Sequence, residues 1–113
     1  MDMTERQAGE VTVVALAGKL TLGDPTTRLH DKINSVLHQG RRQLVLDLGG
    51  VVYVDSAGLG ELVRTHSTVR KHEGAVHIAN LSDRVQDLLS LTKLITVFEV
   101  FDTVDAAAAS FKS

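Results

Sequence analysis

Apolar runs of strand length recur along the chain, and helical patterns fill the gaps between them. The runs are VTVVALA over 11–17, QLVLDL over 43–48, AVHIA over 75–79 and TVFEVF over 96–101. Each is too short for a buried helix, and VTVVALA is in addition β-branched, so each reads as a strand. Between the first two, Leu29, Ile33, Val36 and Leu37 recur at helical spacing, and Gly40 ends the pattern. Between the next two, Leu59, Leu62, Val63, His66 and Val69 share one helical face, which stops near Gly74. Ser82 caps a third helix through Val85, Leu88 and Leu89, and Asp102 or Thr103 caps a last one carrying Val104, Ala107, Ala108 and Phe111.

Such alternation predicts a largely parallel sheet covered by helices. Residues 3–8 add an antiparallel partner strand through a Gly9-Glu10 hairpin turn, and Val51 to Val54 form a separate short run after Gly49-Gly50. Gly18 closes the 11–17 run, and a polar loop, KLTLGDP, leads to Asp24-Pro25, a helix start with Asp as cap and Pro at the first helical position. The expectation is one α/β domain over residues 1–113, with a mixed, mostly parallel sheet of four to five strands and about four helices.

Composition removes several function classes. The chain has 113 residues, 43% hydrophobic and 23% charged, which fits one globular domain. Cysteine is absent, which excludes disulfides and thiolate metal sites. The five histidines, His30, His38, His66, His72 and His77, form no H-E-x-x-H pattern, so no metal is expected. Net charge is −2, and the longest basic cluster is Arg41-Arg42, which is no footprint for nucleic acid. There is no apolar run long enough to span a bilayer, and the opening MDMTERQAGE lacks the apolar core of a signal peptide. The expected location is the cytoplasm.

The segment VVYVDSAGLGELV, residues 51–63, carries the chemistry. Ser56 sits where strand gives way to helix, at the carboxyl end of a strand where open α/β sheets place their functional crevice. A phosphate there would meet the free N–H groups of a helix start. Gly58 and Gly60 weaken that start, each by about 1 kcal/mol relative to alanine. With no side chains, they would let a partner's backbone approach closely. The structural alternative is that Ser56 or Asp55 is simply the N-cap, although position 59 holds Leu rather than the Glu or Gln of a capping box. Asp47 either caps the Gly49-Gly50 turn or orients the Ser56 loop.

Enzymatic readings fail on spacing. A nucleophile elbow needs glycine two before the serine, where Val54 stands. No G-x-x-x-x-G-K-[ST] string is present, and Val63 occupies the place of the third glycine of a dinucleotide fingerprint. A small serine hydrolase is the weakest alternative.

The stretch LVLDLGGVVYVDSAGLGELV resembles the signature of the STAS domain, in the branch of anti-sigma factor antagonists. GKLTLGDP is similar to that family's segment after its first strands, and ANLSDRVQDLLSLTKLITVFEVFDTVDAAAASF to its C-terminal third. The resemblance implies a bacterial regulator, not an enzyme. It implies that Ser56 is phosphorylated by a partner that is both serine kinase and anti-sigma factor. The unmodified form would bind that partner and release a sigma factor; the phosphorylated form would let go, and a phosphatase would reset it. ATP and magnesium would belong to the kinase, with no cofactor on this chain. Partner-binding residues carried over are Asp24, Asp55, Ala57, Gly58, Leu59 and Gly60. Because Thr21-Leu22-Gly23 precedes Asp24, that residue has two readings, docking residue or helix cap. Thr21, Thr26 and Thr27 are further candidates for modification. The alternative job for such a domain is as a subunit of a stress-sensing or lipid-transport complex.

Overall fold

The computed structural model describes residues 1–111. Its apolar runs assemble one five-stranded sheet in the order β1-β2-β3-β4-β5. The strands are β1 (Asp2–Ala8), β2 (Val11–Leu20), β3 (Gln43–Val54), β4 (Ala75–Ala79) and β5 (Glu99–Phe101). The two-residue Gly9-Glu10 turn, with Gly9 at φ +65°, folds β1 antiparallel onto β2. The remaining neighbours are parallel. Each parallel step therefore needs a crossover, and the helices supply them: α1 (Asp24–His38), α2 (Ser56–Lys71) and α3 (Asp83–Leu91). A short α4 (Val104–Ala109) follows β5.

Strand periodicity divides the apolar residues between the two faces of the sheet. Val14, Leu16, Leu44, Leu46 and Ile78 face the larger core, where Leu29, Ile33 and Val36 of α1, Leu62 and Val69 of α2, and Val85 and Leu89 of α3 pack against them. Val11, Val13, Val45 and Ala79 point the other way and are covered by Val104 and Ala107 of α4. Helices on one face joining strands in sequential order are what right-handed crossovers require.

Several local expectations are corrected. Residues 43–48 and 51–54 form one strand, not two. Pairing with β2 jumps from Ala15↔Asp47 to Ala17↔Gly50, then from Gly18↔Val51 to Lys19↔Tyr53, so β3 carries an extra residue at each irregularity. Gly50 is needed there because a β-carbon would lie 2.7 Å from that of Ala17. Asp47 accepts the Gly49 N–H at 2.9 Å and the Asn80 amide at 3.1 Å, so it holds the bulge and not the Ser56 loop. Gly18 does not end β2, which continues to Leu20. The predicted strand over 96–101 is shorter, because a 3-10 turn takes Leu94–Thr96. Asp24 is not the cap of α1: Gly23 holds that position at φ +103° without a side chain to cap with, and its carbonyl takes the Thr27 N–H at 3.1 Å and the Thr26 hydroxyl at 3.0 Å. Pro25 follows Asp24 within the first turn, and the acid there complements the helix dipole. Ser82 and Thr103 do cap α3 and α4, accepting the N–H groups of Val85 at 3.3 Å and Ala106 at 3.0 Å.

The glycines at the start of α2 have opposite surroundings. A β-carbon on Gly58 would collide with the Leu20 carbonyl oxygen and lie 2.8 Å from Val54 Cγ1, whereas one on Gly60 would meet open space. Gly58→Ala is therefore expected to cost about 1–3 kcal/mol through overpacking, and Gly60→Ala to gain about 1 kcal/mol from helix propensity. Denaturant unfolding checks both; equal effects would contradict this packing.

Two histidines are packed rather than solvated. His77 stacks on Phe111 with ring centroids 4.0 Å apart, and its Nδ1 lies 2.7 Å from Ser110 Oγ. His66 packs 5.6 Å from Phe98, and its Nδ1 is buried with no hydrogen-bond partner among the described residues. Burial holds both imidazoles below their ordinary 6.5, aided at His66 by Arg70 and opposed at His77 by the Ala107 carbonyl and Glu99. A folded-state value below the unfolded one contributes stability above pH 6.5 that is lost as pH falls through and below it. Unfolding midpoints should drop on acidification from neutral pH, and the drop should shrink in a His66→Phe/His77→Phe double variant. An undiminished drop would contradict the assignment.

Candidate functional site

The carboxyl ends of β2 and β3 lie side by side, with Leu20 paired to Val54. Both chains must turn there, and Asp55 ties the two turns together. Its Oδ1 accepts the Gly58 N–H at 2.8 Å and so caps α2; its Oδ2 accepts the Leu22 N–H at 3.0 Å from the loop after β2. Its own N–H donates to the Leu20 carbonyl at 3.3 Å, and its carbonyl takes the Leu59 N–H at 2.9 Å. The Leu22 and Gly58 amides hold its carboxyl below the ordinary 3.8, so it is ionised at neutral pH.

With Asp55 as cap, Ser56 is not one. It is the first residue of α2, exposed, and its hydroxyl makes no hydrogen bond among the described residues. Ser56 lines a groove of about 710 Å³ between the start of α2 and α3. Tyr53 and Leu59 line it from the β3–α2 side, and Arg84, Asp87, Leu88 and Leu91 from α3. Leu91 is 82% exposed and Tyr53 46%, and Leu22, held against Asp55, is 77% exposed. Tyr53 and Leu91 are thus large apolar side chains left open at the groove, beside the polar Ser56, Asp55, Arg84 and Asp87, a combination typical of interaction surfaces. No histidine is among the groove's lining residues.

The residues expected to act with Ser56 separate into groups. Asp55 and Leu59 share the groove with it. Gly60 is exposed and open on the outer side of α2. Ala57 is half-buried in the first turn and does not line the groove. Gly58 is buried against Leu20 and Val54, so its missing side chain serves contact within the chain, not the close approach of a partner. Asp24 is exposed at the start of α1, beyond the loop that Asp55 holds, and does not line the groove. Sequence reasoning passed over Leu22, Arg84 and Leu91. Leu22 and Leu91 carried a signal, being apolar residues outside the buried period of their neighbours; Arg84 carried none.

Among the described residues no helix is long and apolar enough to cross a membrane, and no cluster of His, Asp and Glu could hold a metal ion.

Comparison with known proteins agrees with this architecture. BtrV of Bordetella bronchiseptica, an anti-sigma factor antagonist by name, is 26% identical over 113 residues, which is 100% of this chain and 97% of that protein. The anti-sigma-B factor antagonist of Bacillus subtilis is 35% identical over 72 residues, covering 64% of this chain and 65% of its own. The crystal structure of an anti-sigma factor antagonist from Mycobacterium paratuberculosis superposes with a TM-score of 0.84 at 24% identity, over 99% of this chain and 94% of that one. The family model described as "STAS domain" matches residues 2–107, nearly the whole of the sheet and its helices. The chain belongs to the STAS domain family.

Proposed function

We propose that this chain is an anti-sigma factor antagonist whose unmodified form docks on a serine kinase that is also an anti-sigma factor, freeing a sigma factor. Phosphorylation of Ser56 reverses the docking, and a phosphatase restores it. The observation that carries this reading is the position of one hydroxyl. Ser56 is exposed, lines a largely apolar groove and makes no side-chain hydrogen bond among the described residues, because Asp55 has taken over the capping of α2. The full-length similarity to BtrV supports the class of partner.

The chemistry needs little from this chain. Ser56 Oγ attacks the γ-phosphorus of ATP held with magnesium by the kinase. ADP leaves, and the hydroxyl proton passes to a base on the kinase. The chain contributes presentation: a rigid helix start, an accessible nucleophile and a groove for docking, with Leu59, Gly60 and Asp24 near the contact. A groove whose lining includes no histidine to activate Ser56 suits a substrate for a kinase better than a hydrolase.

The switch follows from electrostatics. Phosphorylation adds roughly −1.5 to −2 charge at neutral pH. That charge would appear beside the ionised Asp55, at the edge of a surface that docking would dry. Burying it unpaired costs several kcal/mol, and a difference of about 4 kcal/mol is roughly a thousandfold in affinity. No refolding is required.

With the kinase and ATP, mass spectrometry should find the phosphate on Ser56 and none in Ser56→Ala. The phosphorylated chain should bind the kinase about a thousandfold more weakly than the unmodified one. Ser56→Asp should shift affinity in the same direction and Ser56→Ala should not. Label on Thr21, Thr26 or Thr27 instead, or equal affinities for the Asp and Ala variants, would contradict the reading.

A further inference from the structure

The groove holds a cation that the docking account leaves unused. Arg84, in the first turn of α3, lines the wall opposite Ser56. It is exposed and forms no ion pair among the described residues, although Asp83 and Asp87 lie on the same helix. The charged groups facing the cavity are Asp55, Asp87 and Arg84 alone. Asp55 is already engaged by the Leu22 and Gly58 N–H groups. A phosphate added at Ser56 would thus enter a space containing two carboxylates and one uncommitted guanidinium.

We propose that Arg84 is the counter-ion of phosphorylated Ser56. The pair closes across the groove within the modified chain. Guanidinium and phosphate match in a bidentate, charge-assisted geometry that Lys does not reproduce. The bridge fills the lip between Leu59 and Leu88, where a partner's apolar side chain would enter. This inference rests on the reading of Ser56 as the modified residue and adds a second cause of release. The free phosphorylated chain is stabilised by a bond that docking must break, on top of the charge the partner must accept. In this view α2 carries the switch and α3 carries its latch.

The test does not depend on any kinase. Phosphoserine is installed at position 56 by genetic-code expansion, and its ³¹P signal is titrated between pH 4.5 and 8 in the full chain, in Arg84→Gln and in Arg84→Lys. Arg84 keeps its charge across that range, and the exposed position allows the substitutions without loss of fold. The second ionisation of phosphoserine ordinarily falls near pH 6. Pairing with Arg84 favours the dianion, so the half-titration point in the parent chain should lie about 0.5–1 pH unit below that of Arg84→Gln, with Arg84→Lys between them. Because the start of α2 is common to all three proteins, the difference isolates the guanidinium. Coincident titrations in the three would overturn the pairing, including the case in which Arg84 stays with Asp87. Failure of the kinase to label Ser56 would instead overturn the function reading and leave the titration result standing.

Discussion

One carboxylate organises the end of the molecule that carries Ser56. Asp55 spans two turns that are distant in sequence, with one oxygen on the Leu22 N–H and the other on the Gly58 N–H. The first bond fixes the loop after β2; the second starts α2. Because both oxygens are committed, the neighbouring serine is released from capping and left exposed. Gly58 makes the arrangement possible, since any side chain there would strike the Leu20 carbonyl. The buried contact and the exposed hydroxyl are therefore two consequences of one local geometry.

That geometry sits on a rigid base. Parallel pairing of β2 and β3 down to Leu20 and Val54 places both turns at the same edge of the sheet. The two irregularities in β3 let the strand continue past Gly49 and Gly50 to present Tyr53 and Val54 at the groove. On the far side, Ser82 fixes the start of α3, so that Arg84, Leu88 and Leu91 face the first turn of α2. Under the proposed function, apolar anchors around a phosphorylated Ser56 would combine an attractive surface with a means of making it repulsive. Specificity of this kind needs both elements.

Much of this was legible before any coordinates. The apolar runs at 11–17, 43–48 and 75–79, and the apolar spacing of Leu29, Ile33 and Val36, report burial on a sheet and on a helix face directly. Long-range backbone contacts were not legible. Gly49-Gly50 reads as a break because sequence does not show that Ala17 lies against Gly50. Asp24-Pro25 reads as a cap because Gly23 can adopt the positive φ that displaces it only in context. Gly58 and Gly60 look alike in sequence, yet one is filled by Leu20 and the other faces open space. Ser56 stands out in sequence from its place between strand and helix, but the bonding that leaves its hydroxyl exposed does not, because Asp55's second bond, to Leu22, spans 33 residues. Arg84 was hidden inside an ordinary amphipathic helix.

The central claim is that the corner containing Ser56 is where the unmodified chain meets its partner. Amide resonances of the ¹⁵N-labelled chain, followed as the unlabelled kinase is added, test it most directly. The account predicts perturbations concentrated at Leu22, from Tyr53 through Gly60, and along α3. Perturbations confined to the β1–β2 hairpin or to α4, with the Ser56 segment unmoved, would contradict it.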